Sequence, residues 1–151
     1  SHNDLIAVWF GIWSISYLKN NKKVLGGFFM LLSAGIKYIT SPLLLLIIKD
    51  TPIFRKLSFG AVIGLIVYLS LKNESQPWYL LNLFIFIPWY SRFIKQMWPL
   101  FLGFLLSYYP FIYSDGWGNH ANVLLKHQIL LVVLVIQGVF LIGYYRRGLV
   151  K

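Results

Sequence analysis

Residues Ser58–Leu71 read SFGAVIGLIVYLSL, fourteen positions without a charge. A helix made of such residues has no polar face for water, so it must lie against protein or lipid on every side. A second run of the same kind, Ile129–Phe140 (ILLVVLVIQGVF), follows seventy residues on, and shorter runs fill most of the space between and before them. Across the 151 residues, the AVILMFWYC set makes up 58%, charged residues only 12%, and mean hydropathy is +0.69. A soluble domain of this length needs far more polar surface to cover its core. The expected fold is therefore all-α, a polytopic membrane helical bundle. Aromatic residues reach 19%, in keeping with interfacial belts. The chain has no cysteine, which excludes disulfides, thiolate catalysis and thiolate zinc sites.

Working outward from Ser58–Leu71, apolar runs alternate with turn and charge clusters. They define about seven hydrophobic segments: 4–18, 24–38, 41–48, 57–71, 77–90, 97–109 and 121–145. The net charge of +10 is no sign of nucleic-acid binding, because the basic residues are scattered between apolar runs. Their order is informative instead. Lys19, Lys22 and Lys23, then Lys49, Arg55 and Lys56, then Arg92 and Lys95, then Arg146, Arg147 and Lys151 fall in alternate loops. These are eleven of the 14 basic residues; Lys37, Lys72 and Lys126 lie in or near the other loops. The positive-inside rule then places the amino terminus outside and the carboxyl terminus in the cytoplasm of a multipass protein, most simply in the plasma membrane. Of the four acids, Asp4, Glu74 and Asp115 fall on the outer side and Asp50 on the inner.

A spanning helix needs about 20 residues, and segments 41–48 and 77–90 are shorter than that. Short or broken helices at membrane depth must face protein or an aqueous cavity. Residues 24–48 can be read as one long helix kinked at Pro42, but Lys49, Arg55 and Lys56 would then lie outside. Charge alternation favours a helical hairpin whose tip lies below the outer surface. No repeat, low-complexity tract or soluble domain is visible. Gly26-Gly27 and Gly60…Gly64 read as helix-packing surfaces rather than phosphate loops.

Four stretches carry polar groups at informative places. Lys37 stands inside LLSAGIKYITSP, where an ammonium either faces the bundle interior or snorkels to the headgroups. Either way it is well placed to meet a lipid phosphate, and Thr40 and Ser41 would cap the following helix. His2-Asn3-Asp4 opens the first apolar run; Asn3 or Asp4 can be a helix cap, or the three can orient a hydroxyl or sugar. Gln76-Pro77-Trp78-Tyr79 reads as a helix start with interfacial aromatics, or as a ring platform beside a polar ligand. The stretch Tyr108–His120 is the longest outer loop, with Asp115-Gly116 as turn chemistry. Lys126 and His127, one turn into the last helix, are expected to snorkel. The three histidines are scattered and no carboxylate cluster has ligand spacing, so a divalent metal is not indicated.

Three of these stretches, in this order, resemble the later half of GT-C superfamily glycosyltransferases, membrane enzymes that use polyprenyl-phosphate sugars. The similarity is to mannosyltransferase-like members. It rests on His2-Asn3-Asp4, on Ile36-Lys37-Tyr38 and on Gln76-Pro77-Trp78-Tyr79-Leu80-Leu81, and it covers residues 1 to about 90. The remaining 60 residues match only as hydrophobic helices. The resemblance implies a carboxyl-terminal part of a larger integral membrane enzyme, inactive by itself. The acidic residue that such enzymes carry in the first outer loop would lie upstream of residue 1; Asp4 is the other candidate for the base.

What the resemblance implies is transfer of a mannose-like hexose from a polyprenyl-phosphate donor to a glycan or lipid acceptor hydroxyl on the outer face. No cofactor is expected, and the partners are the lipid bilayer, the donor and the acceptor, not nucleic acid. Lys37, with Tyr38 beside it, would meet the donor phosphate. His2, Asn3 and Asp4 would hold sugar or acceptor hydroxyls, and Gln76, Trp78 and Tyr79 would line the cavity by the headgroup and first isoprenes. The rival expectations are a fragment of a transporter or lipid flippase, and a non-catalytic membrane scaffold.

Overall fold

The structure, a computed structural model, describes residues 2–72, 76–113 and 120–149. Glu74, Asp115, loop positions 114–119 and Lys151 lie outside the described residues, as do the side chains of His2, Arg146 and Arg147. Most of the described residues are helical, with no strand among them. The chain divides into two compact units, Ser1–Ile94 and Lys95–Lys151. Two helices are long and apolar enough to cross a membrane, over Pro52–Ser70 and His120–Tyr145. Only 22% and 11% of those spans is buried, whereas the core helix of a soluble protein would be mostly covered.

In the first unit, α1 (His2–Lys19) turns tightly into α2 (Lys23–Ile36). Asn21 takes the left-handed conformation at φ 59°, which asparagine tolerates. The amide of Lys22 then reaches Tyr17 O at 2.9 Å and that of Asn21 reaches Leu18 O at 3.0 Å, closing the end of α1 as a Schellman motif. The two helices pack closely because Gly26 has no side chain. A Cβ there would lie 2.9 Å from Leu18 and 3.1 Å from Ser14 O.

α2 stops at Ile36, because Lys37 is extended (φ −143°, ψ 114°). The chain then runs as a 3-10 segment, η1 (Tyr38–Leu44), into the short α3 (Leu45–Ile48). Pro42, inside η1, offers no N–H and restricts Ser41, so an α-helix is not resumed at once. Ile47 returns to within 3.9 Å of a Cβ placed on Gly27. The chain has therefore doubled back, and residues 24–48 form a hairpin, not one kinked helix.

α4 (Pro52–Lys72) follows, then a 3-10 segment η2 (Pro77–Phe86) and α5 (Ile87–Gln96). Gln76 is extended before Pro77, which occupies the first turn of η2 as expected of a helix start. The backbone is kinked at Tyr90, inside α5, and this stretch is not among the helices long and apolar enough to cross a membrane. η2 lies against α1, where a Cβ on Gly11 would be 2.8 Å from Ile85. α4 packs on η1 and η2, with Phe59 among Phe86, Tyr90 and Phe93. Gly60 and Gly64, expected as packing surfaces, have nothing within 4 Å.

In the second unit, the expected segment 97–109 is broken at Ser107 into α6 (Trp98–Leu106) and α7 (Tyr109–Tyr113), so the presumed outer loop begins as a helical turn. Both pack on α8 (His120–Leu149), with Gly103 set directly against Val133. Gln137, buried in the apolar middle of α8, donates to Gln96 O at 3.1 Å and accepts from Leu100 N at 3.2 Å. It thereby satisfies backbone groups left over where α6 begins. Lys126 is 1% exposed, with Nζ 4.9 Å from the Tyr108 ring centroid and 5.6 Å from that of Phe111. It does not snorkel; the two rings cover it, while His127 next to it is exposed.

Candidate functional site: the Asp4–Lys37 pair

Asp4 stands in the first turn of α1, where the helix dipole favours a negative charge, and it is fully buried. Lys37 Nζ lies 2.9 Å from Asp4 Oδ1, with the lysine side chain 22% exposed. The cap reading of Asp4 is thus replaced by an ion pair between α1 and the break after α2. Plain snorkelling of Lys37 is replaced as well, because the ammonium turns toward a buried carboxylate. A lysine ammonium has three donors. One serves Asp4, and the side chain as a whole is partly exposed.

The break is held by hydroxyls. Ser33 Oγ lies 2.8 Å from Ala7 O, one turn beyond Asp4 on α1, and 3.0 Å from Thr40 Oγ1. Thr40 Oγ1 donates to Lys37 O at 2.8 Å. Both hydroxyl residues are fully buried. Thr40 does not cap the next helix: it lies inside η1, whose first turn has no side-chain cap, and Ser41 is exposed.

The helices of this unit bring like ends together. Gly11 meets Ile85, and farther along α1 Lys19 Nζ reaches Pro88 O at 3.4 Å, so α1 and η2 run in the same direction. Asn3, Asp4 and the stretch Gln76–Tyr79 consequently lie at one end of the unit, with Lys37 held there by Asp4. Gln76, Trp78 and Tyr79 are half-buried, while Asn3 and Tyr38 are exposed. Buried Asn82 donates from Nδ2 to Tyr79 O at 3.0 Å, fixing the backbone of this stretch.

At the opposite end the Arg55 guanidinium stacks over Trp89 at 4.7 Å and binds Asp50 through Nε at 2.6 Å and Nη2 at 2.9 Å. Lys19, Lys22, Lys23, Lys49, Arg55 and Lys56 belong to helix ends or turns at that end. The acid there, Asp50, is thereby neutralised by its own neighbour on α4.

Chemically, the Asp4–Lys37 end offers a paired ammonium on a partly exposed side chain, a buried carboxylate and amphipathic rings. That set suits an anionic or polyhydroxylated ligand. Asp4 was legible as a polar residue at a helix start, and Lys37 as a cation at depth. Ser33, Asn82 and Gln137 carried no signal, since a serine, asparagine or glutamine in an apolar run does not reveal a partner far along the chain. Among the described residues, no group of three His, Asp or Glu is placed to hold a metal ion. No family model matches the chain, and no curated protein or solved structure is significantly similar to it.

Proposed function

We propose that the chain is part of a multipass integral membrane glycosyltransferase of the GT-C type. It serves transfer of a mannose-like hexose from a polyprenyl-phosphate donor to an acceptor hydroxyl on the outer face of the plasma membrane. The observation that supports this most is the Asp4–Lys37 pair, at the end of the first unit opposite its basic turns. Two stretches chosen separately for their chemistry meet there, and the third lies at the same end.

In this reading Lys37 binds the donor phosphate and stabilises the charge that grows as polyprenyl phosphate departs. Asp4 shares that ammonium, so it lies on the leaving-group side of the anomeric carbon. An inverting transfer needs its base on the opposite side. Asp4 is therefore a residue that orients Lys37, and the base comes from another part of the full-length enzyme. Trp78, Tyr79 and Gln76 flank the headgroup. The test is glycosyl transfer by the full-length enzyme carrying Lys37→Ala: kcat/KM falls by at least tenfold on this reading, and unchanged turnover with unchanged donor affinity would refute it.

A second reading is favoured by the broken backbone. An extended residue between α2 and η1, with an ion pair at the break, is the construction of a transport site in carriers with discontinuous helices. A transporter or lipid flippase would accumulate or flip labelled substrate without forming a new glycosidic bond. Observing translocation and no covalent product in reconstituted vesicles would decide for it.

A further inference from the structure

We propose that Ser33 and Thr40 are positioning residues that hold the backbone of Lys37 so that its ammonium meets Asp4. A buried serine in a helix commonly turns back onto a carbonyl three or four residues earlier. Ser14 does so to Gly11 O at 2.7 Å, and Ser107 to Phe104 O at 2.7 Å. Ser33 behaves differently, since its hydroxyl crosses to Ala7 O of another helix and to Thr40 Oγ1 beyond the break.

Both backbone groups of Lys37 end on these two residues. Its N–H donates to Ser33 O at 3.0 Å, and its carbonyl accepts from Thr40 N at 3.1 Å and from Thr40 Oγ1 at 2.8 Å. A connected path therefore runs from the Asp4 turn of α1, through Ser33 and Thr40, to the main chain of Lys37. The ion pair closes that path into a ring. Two hydroxyl protons serve three oxygen contacts, so Ser33 donates to Ala7 O or to Thr40 Oγ1 while Thr40 donates to Lys37 O, and removing either hydroxyl takes away side-chain ties to this backbone.

Lys37 follows an extended residue geometry that a helix would not impose, so without the hydroxyls its side chain can leave Asp4 while every charge is retained. A lysine side chain freed from its carboxylate is more exposed, so an acylating reagent reaches its amine more often.

The experiment follows acylation of Lys37 by a membrane-permeant amine-reactive ester, measured against pH by mass spectrometry on the full-length protein in nanodiscs. Thr40→Val and Ser33→Ala are expected to raise Lys37 labelling about fivefold at neutral pH, while Thr40→Ser, which keeps the hydroxyl, labels at the unsubstituted rate. Equal labelling of Thr40→Val and the unsubstituted protein would overturn the proposal, and so would Thr40→Ser labelling as fast as Thr40→Val. Excess labelling in Thr40→Val that spreads to Lys126 would also overturn it, since general loosening then explains the change. The readout does not require glycosyl transfer. If Lys37→Ala leaves transfer intact, the functional reading fails while the positioning result stands.

Discussion

At the scale of single residues, the Asp4–Lys37 pair makes a demanding prediction. Removing one partner of an ion pair strips the other charge of that compensation, a loss of about 3–5 kcal/mol when the pair is fully buried and less for the partly exposed Lys37. Lys37→Met or Asp4→Leu alone is expected to lower the Tm in detergent by several degrees, whereas the double replacement recovers most of the loss. A thermal-melt cycle over the four proteins checks this, and additive losses would show that the pair is not coupled. Gln137 supports a second prediction. Gln137→Leu leaves Leu100 N and Gln96 O without their partner, at about 1–3 kcal/mol for the unpaired groups. Hydrogen exchange at Leu100 should accelerate; unchanged protection would contradict the clasp.

At the scale of elements, glycines divide by what faces them. Gly11 and Gly26 each lie where a Cβ would meet a neighbour at 2.8–2.9 Å, so Gly11→Val or Gly26→Val is expected to destabilise by about 1–3 kcal/mol through overpacking. Gly60→Ala and Gly64→Ala add a methyl in open space inside a helix, and should stabilise by up to about 1 kcal/mol. Denaturation curves of the four proteins separate the two groups. The sequence pattern located α1, α2, α4 and α8 to within a few residues, because apolar periodicity and charged turns report directly on where helices start and stop. The hairpin at 24–48 was legible from charge alternation. The 3-10 character of Tyr38–Leu44 and Pro77–Phe86 was not, because the choice between i→i+3 and i→i+4 bonding is settled by packing against neighbours. For the same reason Gly11 was not marked as a contact point and Gly60 and Gly64 were.

At the scale of the whole molecule, the basic residues carry the proposed orientation. In the first unit, Lys19, Lys22, Lys23, Lys49, Arg55 and Lys56 gather at the end opposite Asp4 and Lys37. The chain has no native cysteine, so single cysteines report cleanly. Lys22→Cys should react with an impermeant maleimide only from the cytoplasmic side, and Asn3→Cys only from outside. Reaction of both from the same side would reverse the proposed topology. The site was half legible in the same sense. Lys37 stood out as a charge inside an apolar stretch and Asp4 as a polar residue at a helix start, but that they bind each other depended on the turn at Asn21 and the break at Lys37.

The central claim is that Lys37 meets a lipid-linked phosphate, and ligand protection of its amine tests this most directly. Full-length protein in nanodiscs is acylated in the presence of a polyprenyl phosphate, or of the polyprenol of the same length lacking the phosphate. Protection of Lys37 by the phosphate at least fivefold greater than by the alcohol is the predicted result. Equal protection by both, or none by either, would contradict it.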